Sequence, residues 1–318
     1  MRLFGVAMVR DEADVVEAFV RHNARILDGL IVADHGSLDG TRGILLRLEA
    51  EGLPLRVVPV DEPAFFQSRH VTELARRALS AERADFVFAL DADEFLKVPS
   101  RPALESALSA VPAAMHALVH WQTYVPDDLE AASDFGPGHL WWRLKSERHA
   151  MHKVAASRAL LETPLAVITD GNHLVAEPSA RTPPRHARLP AGVVTYAHCP
   201  VRSREQLSAK VVTGYLADLA AQAPGREFAH HWGELYREIA AGATLSAESL
   251  REIACNYTLP KAKWQPVAEI ELVEDPVRLE FDLRYPASSG IDTLRRLMRF
   301  AEALIANLDE PHPAPVIL

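Results

Sequence analysis

Cysteine is nearly missing from this chain of 318 residues: Cys199 and Cys255 are the only two, and no C-x-x-C spacing occurs. That excludes a disulfide framework and a thiolate zinc site, and it fits a reduced, cytoplasmic setting. Long apolar runs are missing too. None approaches the ~18 residues of a membrane-spanning helix. The stretch Leu3–Val9 stops at Arg10-Asp11-Glu12, too soon for the core of a signal peptide but well placed for a first strand. Excess positive charge is the third absence. With a formal net charge of −9, no clustered basic surface for a nucleic-acid backbone is expected, although a local basic pocket for a small anion is allowed. Peripheral contact with a membrane surface leaves no mark in such a composition and stays open.

What remains is an ordinary globular balance, 48% apolar and 24% charged. The length suffices for one large domain or for a domain with an extension. The first hundred residues alternate between short apolar strands (3–9, 30–33, 55–60, 86–90) and amphipathic helices. Asp11 is placed to cap a helix carrying Val16, Phe19, Val20 and Leu27, and Gly40-Thr41 opens one carrying Ile44, Leu45 and Leu48. A further helix is expected over 70–80. This rhythm predicts βαβ units and a mostly parallel sheet. After Pro99 it breaks. A helix over 102–111 precedes strands at 117–124, 140–144, 153–157, 165–169 and 193–198. Residues 176–190 hold four prolines and read as a long loop. Helices follow over 203–222, 226–241, 246–256 and 291–308. The last has a wide apolar face of Leu294, Leu297, Met298, Ala301, Leu304 and Ile305, expected to pack back onto the domain. The division is therefore an α/β unit over 1–200 and a helical C-terminal extension over 201–318.

The most telling stretch is Phe86-Val87-Phe88-Ala89-Leu90 running into Asp91-Ala92-Asp93-Glu94. Five apolar residues in a row mark a central strand buried on both faces. Three carboxylates within four positions cannot stay unpaired at its end, because desolvating each costs several kcal/mol. A cation belongs there, and oxygen ligands suit Mg²⁺ or Mn²⁺. The carboxyl ends of strands are also where open α/β sheets bind ligands.

Other segments cluster at strand ends. Asp34-His35-Gly36-Ser37-Leu38-Asp39-Gly40-Thr41 ends the second strand and opens a helix, with Gly36 for a tight turn and Asp34 placed to accept hydrogen bonds from a base or ribose. Gly171-Asn172-His173 and His198-Cys199-Pro200-Val201-Arg202 follow later strands. A lone histidine at such a place is more often a satisfied hydrogen-bonder than a metal ligand. Arg202 and Arg204 at a helix start oppose its dipole, which favours an anion nearby. Gln67-Ser68-Arg69 and Lys210 carry no signal by themselves.

Taken in order, these segments resemble family 2-like glycosyltransferases. Val9-Arg10-Asp11-Glu12 is similar to their "K/R-N-E" opening, 34–41 to their "D-x-G/S-S-x-D-G-T" turn, and Leu90-Asp91-Ala92-Asp93-Glu94-Phe95-Leu96 to the "L-D-x-D-E-F-L" form of the Asp-x-Asp motif. Gln67, Arg69, Gly171-Asn172-His173, and His198 through Gln206 with Lys210 and Gly214 recur in the same subgroup. The likeness spans about residues 1–215; His35 departs from it. The resemblance implies a GT-A fold, a Rossmann-like nucleotide half joined to an acceptor half. It implies a nucleotide-diphosphate sugar donor, a glycan or other hydroxyl acceptor, and Mn²⁺ or Mg²⁺. By the same resemblance Asp34, Arg69, Asp91 and Arg202 contact the nucleotide, while Asp93 ligates the metal with His198, or else His173. An inverting transfer needs a carboxylate base, for which Asp170 and Asp134 are the candidates. The activity expected is sugar transfer in surface-glycan synthesis of bacterial type, against the alternative of a non-catalytic nucleotide-sugar-binding protein on the same fold. A haloacid-type phosphatase is disfavoured, since Phe95 stands where its motif needs Thr or Val.

Overall fold

The computed structural model describes residues 1–127, 129, 135–177, 180–221, 230–285 and 293–306. Its first half follows the expected alternation: β1 (Leu3–Val9), α1 (Val16–Asn23), β2 (Gly29–Asp34), α2 (Thr41–Ala50), β3 (Leu55–Pro59), α3 (Gln67–Ser80) and β4 (Phe86–Leu90). These four strands pair in parallel in the order β3-β2-β1-β4. β1, β2 and β4 are buried throughout, as strands with helices on both faces must be.

Alternation along each strand divides the core in two. Leu3, Ala7, Val9, Phe86, Phe88 and Leu90 point to the face covered by α1 and α2, against Phe19, Val20, Leu45 and Leu48. Phe4, Val6, Met8, Val87 and Ala89 point to the face covered by α3, against Val71, Leu74, Ala75 and Leu79. Truncating a fully enclosed ring such as Phe88 to alanine costs about 3–5 kcal/mol, the transfer term plus the cavity left behind.

The second half turns the sheet into a mixed one. After β5 (Glu94–Lys97) and α4 (Arg101–Ser109) come β6 (Met115–Thr123), β7 (Trp142–Leu144), β8 (His152–Ser157), α5 (Ala159–Glu162), β9 (Val167–Ile168), β10 (Val175–Ala176), β11 (Arg185–Arg188) and β12 (Thr195–His198). The sheet continues from β4 as β8-β6-β12-β5, with β11 also on β6. β8 is antiparallel to both β4 and β6, β12 is parallel to β6, and β5 is antiparallel to β12. Helices α6 (Arg204–Ala220), α7 (His230–Ala240) and α8 (Ala247–Cys255), then β13 (Leu272–Glu274) and α9 (Thr293–Ala306), complete the described chain. A third apolar cluster joins Val125, Leu144 and Val201 to Leu207, Val211, Leu250 and Ile253, so residues on both sides of position 200 share one core. The fold is α/β, a mixed sheet flanked by helices, as expected from the sequence. No described helix is long and apolar enough to cross a membrane.

Several local expectations are corrected. Asp11 does not cap α1, whose N-cap position is Val15 without a side-chain bond. Its backbone is left-handed at φ 54°, and its Oδ1 accepts from the amides of Leu38 and Asp39, so it fastens the loop after β2 instead. Part of the proline-rich stretch is a strand, β11, which backbone pairing with β6 stabilises although Arg185-His186-Ala187-Arg188 carries no apolar alternation. β5 was hidden because its first residue, Glu94, reads as part of the acid cluster. The expected strand over 140–144 is a 3₁₀ turn (Pro137–Leu140) followed by the short β7. On α9, Met298 and Ile305 are exposed, and the ring buried is Phe300, under the Arg10 guanidinium at 5.2 Å. Of the expected helices 203–222, 226–241 and 291–308, residues 222, 226–229, 291–292 and 307–308 lie outside the described ones.

Candidate functional site

A cavity of about 530 Å³ opens at the carboxyl ends of β1, β4 and β12. This is where the strand order of an α/β sheet leaves a crevice. β1 delivers Arg10, Asp11 and Glu12 to it, β4 delivers Asp91 and Asp93, and β12 delivers His198. β8 runs the opposite way, so its first residues meet the last of β4. Continuing the Phe88–Ala155 register brings Lys153 beside Leu90. One stripe of α6, Lys210, Thr213, Gly214 and Ala217, closes the wall at helical spacing.

Asp93 is 1% exposed and surrounded by cations. Lys210 donates to its Oδ2 at 2.7 Å, and an Arg202 amine lies 3.6 Å from the same oxygen. Burial pushes this carboxyl up, but Lys210 and Arg202 hold it below the ordinary carboxylate range. Its Oδ1 has no hydrogen-bond partner and lies 3.7 Å from His198 Nε2. Burial lowers His198 to about 3, so the imidazole is neutral, and its ring stacks on Trp121 at 4.2 Å between centroids.

Asp91 is engaged on both oxygens. Oδ1 accepts from Asn172 Nδ2 at 2.9 Å and from Gln67 Nε2 at 3.1 Å, and Oδ2 accepts from Lys153. Lys153 also lies 3.0 Å from Glu94 Oε1 and 5.4 Å above the Trp121 ring. Burial pushes the Glu94 carboxyl above its ordinary range against the pull of Lys153. Gln67 completes the clamp by accepting from the Gly171 amide at 2.7 Å. The turn so held is left-handed at two successive residues, Gly171 (φ 74°) and Asn172 (φ 60°). A β-carbon at Gly171 would stand 2.7 Å from His173 Nε2. The turn sets Asp170 and His173 on the cavity wall, Asp170 Oδ1 accepting from the Ser68 amide at 3.0 Å.

The structure thus brings Asp91, Asp93, His198, His173 and Asp170 to one cavity. It sets the other sequence candidates apart. Asp34 is buried and not among the residues lining the cavity, with Oδ1 near the Ser37 amide and Oδ2 without a hydrogen bond but 3.9 Å from Arg42, and its neighbour His35 lines the cavity instead. Burial lowers His35 to about 2, and the neutral ring accepts from Arg10 at 2.9 Å. Arg69 is partly exposed off the cavity, paired with Glu62 and lying over the Phe66 ring. Arg202 is 1% exposed and bound to Glu12 and to Asp14 (2.6 Å), which explains two arginines near a helix start without an external anion. Arg204 donates to the Leu245 carbonyl at 2.6 Å. Asp134 lies outside the described residues. The His173 ring lies 6.1 Å from Trp121, tilted against it, and Trp121 also stacks on His198, so the indole contacts both imidazoles.

Lys153 and Trp121 were missed by sequence reasoning, and Glu12, quoted as part of the opening motif, was given no role. Lys153 did leave a signal: a lysine at an inward position of an otherwise apolar strand requires a carboxylate opposite it.

Among the described residues no cluster of three or more His, Cys, Asp or Glu forms a metal cage. Two donors do converge, however: the partnerless Asp93 Oδ1 and the neutral His198 Nε2. One or two protein ligands, with phosphate oxygens and water supplying the rest, is how Mg²⁺-type cations are held in nucleotide sites. The residues therefore fit a divalent cation shared with a ligand, and not one bound by protein alone.

No protein-family model matches the chain, and no curated protein matches it. Solved structures do show likeness. A mannosyltransferase from Pyrobaculum calidifontis, in complex with GDP-Man and Mn²⁺, aligns at 19% identity over 80% of this chain and 72% of its own, with a TM-score of 0.39. Glucosyl-3-phosphoglycerate synthase from Mycobacterium tuberculosis, with Mn²⁺, UDP and glucosyl-3-phosphoglycerate, aligns at 24% identity over 36% and 42% of the two chains, with a TM-score of 0.25. Mannose-1-phosphate geranyltransferase from Thermus thermophilus aligns at 14% identity over 79% and 67%, with a TM-score of 0.30. Scores this low carry no functional inference, and the site's own residues have to supply it.

Proposed function

We propose that this chain is a metal-dependent glycosyltransferase, moving a sugar from a nucleotide-diphosphate sugar to the hydroxyl of a glycan or similar acceptor, in surface-glycan synthesis of bacterial type. The observation that carries the reading is the Asp93 Oδ1–His198 Nε2 pair, 3.7 Å apart and contributed by two buried residues of the cavity wall. The order of motifs along the chain supports it independently.

In this reading Asp93 and His198 would hold Mn²⁺ or Mg²⁺ together with the donor diphosphate, and a cation so held would supply Lewis-acid stabilisation of the charge that develops on the leaving diphosphate. Arg202 keeps Asp93 ionised from behind, and Trp121 fixes the His198 ring by stacking. Asp91, held by Lys153, Asn172 and Gln67, shapes the wall between the donor and the Gly171 turn. As the anomeric carbon becomes oxocarbenium-like, Asp170 takes the proton from the attacking hydroxyl if the centre inverts. Asp34 and Arg69 reach the nucleotide only if its base and ribose extend beyond the main cavity toward β2 and α3.

A thermal-shift panel of UDP, GDP, CDP and dTDP, each with and without Mn²⁺, tests the proposal. A ligand that binds the native state raises the melting temperature by mass action. A shift for one nucleotide that requires Mn²⁺, and that disappears in Asp93→Ala, is expected. Undiminished nucleotide affinity in Asp93→Ala overturns the site assignment. Donor binding without transfer or donor hydrolysis, across a broad acceptor screen, would instead mark a binding protein.

A further inference from the structure

Lys210 occupies an unusual position in this cavity. Its ammonium pairs with the one carboxylate that the proposed function assigns to the metal, at 2.7 Å from Asp93 Oδ2, and lies 3.5 Å from Glu12 Oε1. Lys153, by contrast, is 2% exposed and clamped between Asp91 and Glu94, and Arg202 is 1% exposed behind Asp93. Lys210 keeps 27% of its side chain exposed and lines the cavity. It stands on α6 above Thr213 and Gly214, on the helix face that forms the wall. A lysine is a point charge with three donors on a flexible four-carbon stem, able to turn without displacing its helix.

Asp93 shares its surroundings with two other carboxyl groups, Glu12 and Asp14, and with two cations, Lys210 and Arg202, and burial pushes the Glu12 carboxyl above its ordinary range. Removing the Lys210 charge leaves Asp93 Oδ1 still partnerless and the site more negative by one. A divalent cation arriving alone at Oδ1 meets a carboxylate whose other oxygen, Oδ2, already carries an ammonium. An anion arriving in the cavity meets Lys210 as the exposed cation beside Asp93.

We infer that Lys210 is an anion-binding residue that doubles as a placeholder. Without ligand it neutralises Asp93, and with a diphosphate in the cavity it turns to a phosphate oxygen and leaves Asp93 to the divalent cation. The inference rests on the glycosyltransferase reading and adds to it a residue, an order of events and a sign. Metal alone binds weakly because the Lys210 ammonium on Oδ2 already neutralises the Asp93 carboxylate and repels a second cation. The diphosphate and the metal favour one another because the first draws that ammonium away, and such coupling is reciprocal.

The test is Lys210→Met against the wild-type chain, read by two binding measurements that a merely structural role cannot move in opposite directions. Free Mn²⁺, titrated without nucleotide and followed by electron paramagnetic resonance, is expected to bind Lys210→Met at least threefold more tightly. Inorganic pyrophosphate in metal-free buffer with EDTA, followed by calorimetry, is expected to bind it at least tenfold more weakly. Lys210→Arg keeps the charge and is expected to retain pyrophosphate binding within a few-fold, and melting temperatures report whether each variant folds. Unchanged or weaker Mn²⁺ binding by Lys210→Met, or unchanged pyrophosphate binding, overturns the inference. If the wild type shows a Mn²⁺-dependent nucleotide shift while Lys210→Met behaves like it, only this inference falls. If the wild type binds neither Mn²⁺ nor any nucleotide diphosphate, both readings fall.

Discussion

Lys153 Nζ lies 3.0 Å from Glu94 Oε1, and the two side chains are 2% and 0% exposed. Neither side chain has access to solvent, and because burial pushes the Glu94 carboxyl above its ordinary range, the Lys153 ammonium depends on Asp91 as well. Breaking a buried pair by removing one partner costs about 3–5 kcal/mol, because the group left behind is desolvated and unpaired. Lys153→Met is expected to lose stability of that order in urea unfolding. Adding Glu94→Gln should recover part of the loss, giving a non-additivity of about 1 kcal/mol or more in a double-mutant cycle. The exposed pair Lys145–Glu271, 2.7 Å apart with both side chains more than half exposed, supplies the contrast. Lys145→Ala is expected to shift stability by no more than about 0.5 kcal/mol.

The Lys153–Glu94 pair also marks where the sequence stops being readable. β1 to β4 could be placed because their apolar runs and the helices between them are local patterns, and parallel order follows from that alternation. Asp91 and Asp93 could be singled out because three acids after a buried strand need a counter-charge. Which group supplies it depends on β8 running antiparallel to β4, a pairing between residues 62 positions apart. No periodicity encodes that. Arg202 was misleading for the same reason: its partners Glu12 and Asp14 lie about 190 positions away. Asp11 failed differently. It is a capping-type residue shortly before a helix, but it lies four residues ahead of the N-cap position Val15, and its carboxylate accepts from the amides of Leu38 and Asp39.

Gly171 is a second point where geometry decides. Its φ of 74° is unfavourable for any residue with a β-carbon, and that carbon would stand 2.7 Å from the His173 ring. Gly171→Ala is expected to cost roughly 1–3 kcal/mol from backbone strain and the displaced imidazole, seen as a lower urea midpoint. Gly43, inside α2 with open space around it, is the control. Gly43→Ala should be neutral or stabilising by about 0.5–1 kcal/mol, through helix propensity and a less disordered unfolded chain.

Stability should also fall with acid for reasons away from the cavity. His116 is 2% exposed, and its Nδ1 accepts from the Ser157 amide at 3.1 Å, so the ring must be neutral to keep that bond. Burial lowers it to about 4, with His186 at 5.6 Å acting in the same direction. The unfolded chain takes up the proton near pH ~6.5, while the folded chain resists until about 4. Stability from this group is therefore complete above the unfolded value and is lost as pH falls through that window, at no more than about 1.4 kcal/mol per pH unit. His116→Asn keeps an acceptor for the Ser157 amide but cannot titrate. Its unfolding free energy should vary less steeply with pH between 6.5 and 4.5, whatever its stability at neutral pH. An unchanged slope would assign the acid sensitivity to other groups.

The proposed base can be tested without disturbing its setting. Asp170 Oδ1 accepts the Ser68 amide, and Gln67 and Asp91 hold the turn that presents it. Asn is nearly isosteric and keeps that oxygen as an acceptor, so Asp170→Asn should retain the turn, the melting temperature and the nucleotide-induced shift. What it loses is a carboxylate able to take a proton. Transfer should slow by about 10²–10⁴-fold, the usual contribution of general base catalysis, with the acceptor KM little changed. Near-normal transfer in a variant that binds the donor normally would exclude Asp170 as the base. Asp134→Asn would then be the variant to make, as the remaining carboxylate predicted for this role from the sequence. Loss of donor binding together with transfer would place Asp170 in the donor pocket instead, a result that the melting shift separates from loss of the base.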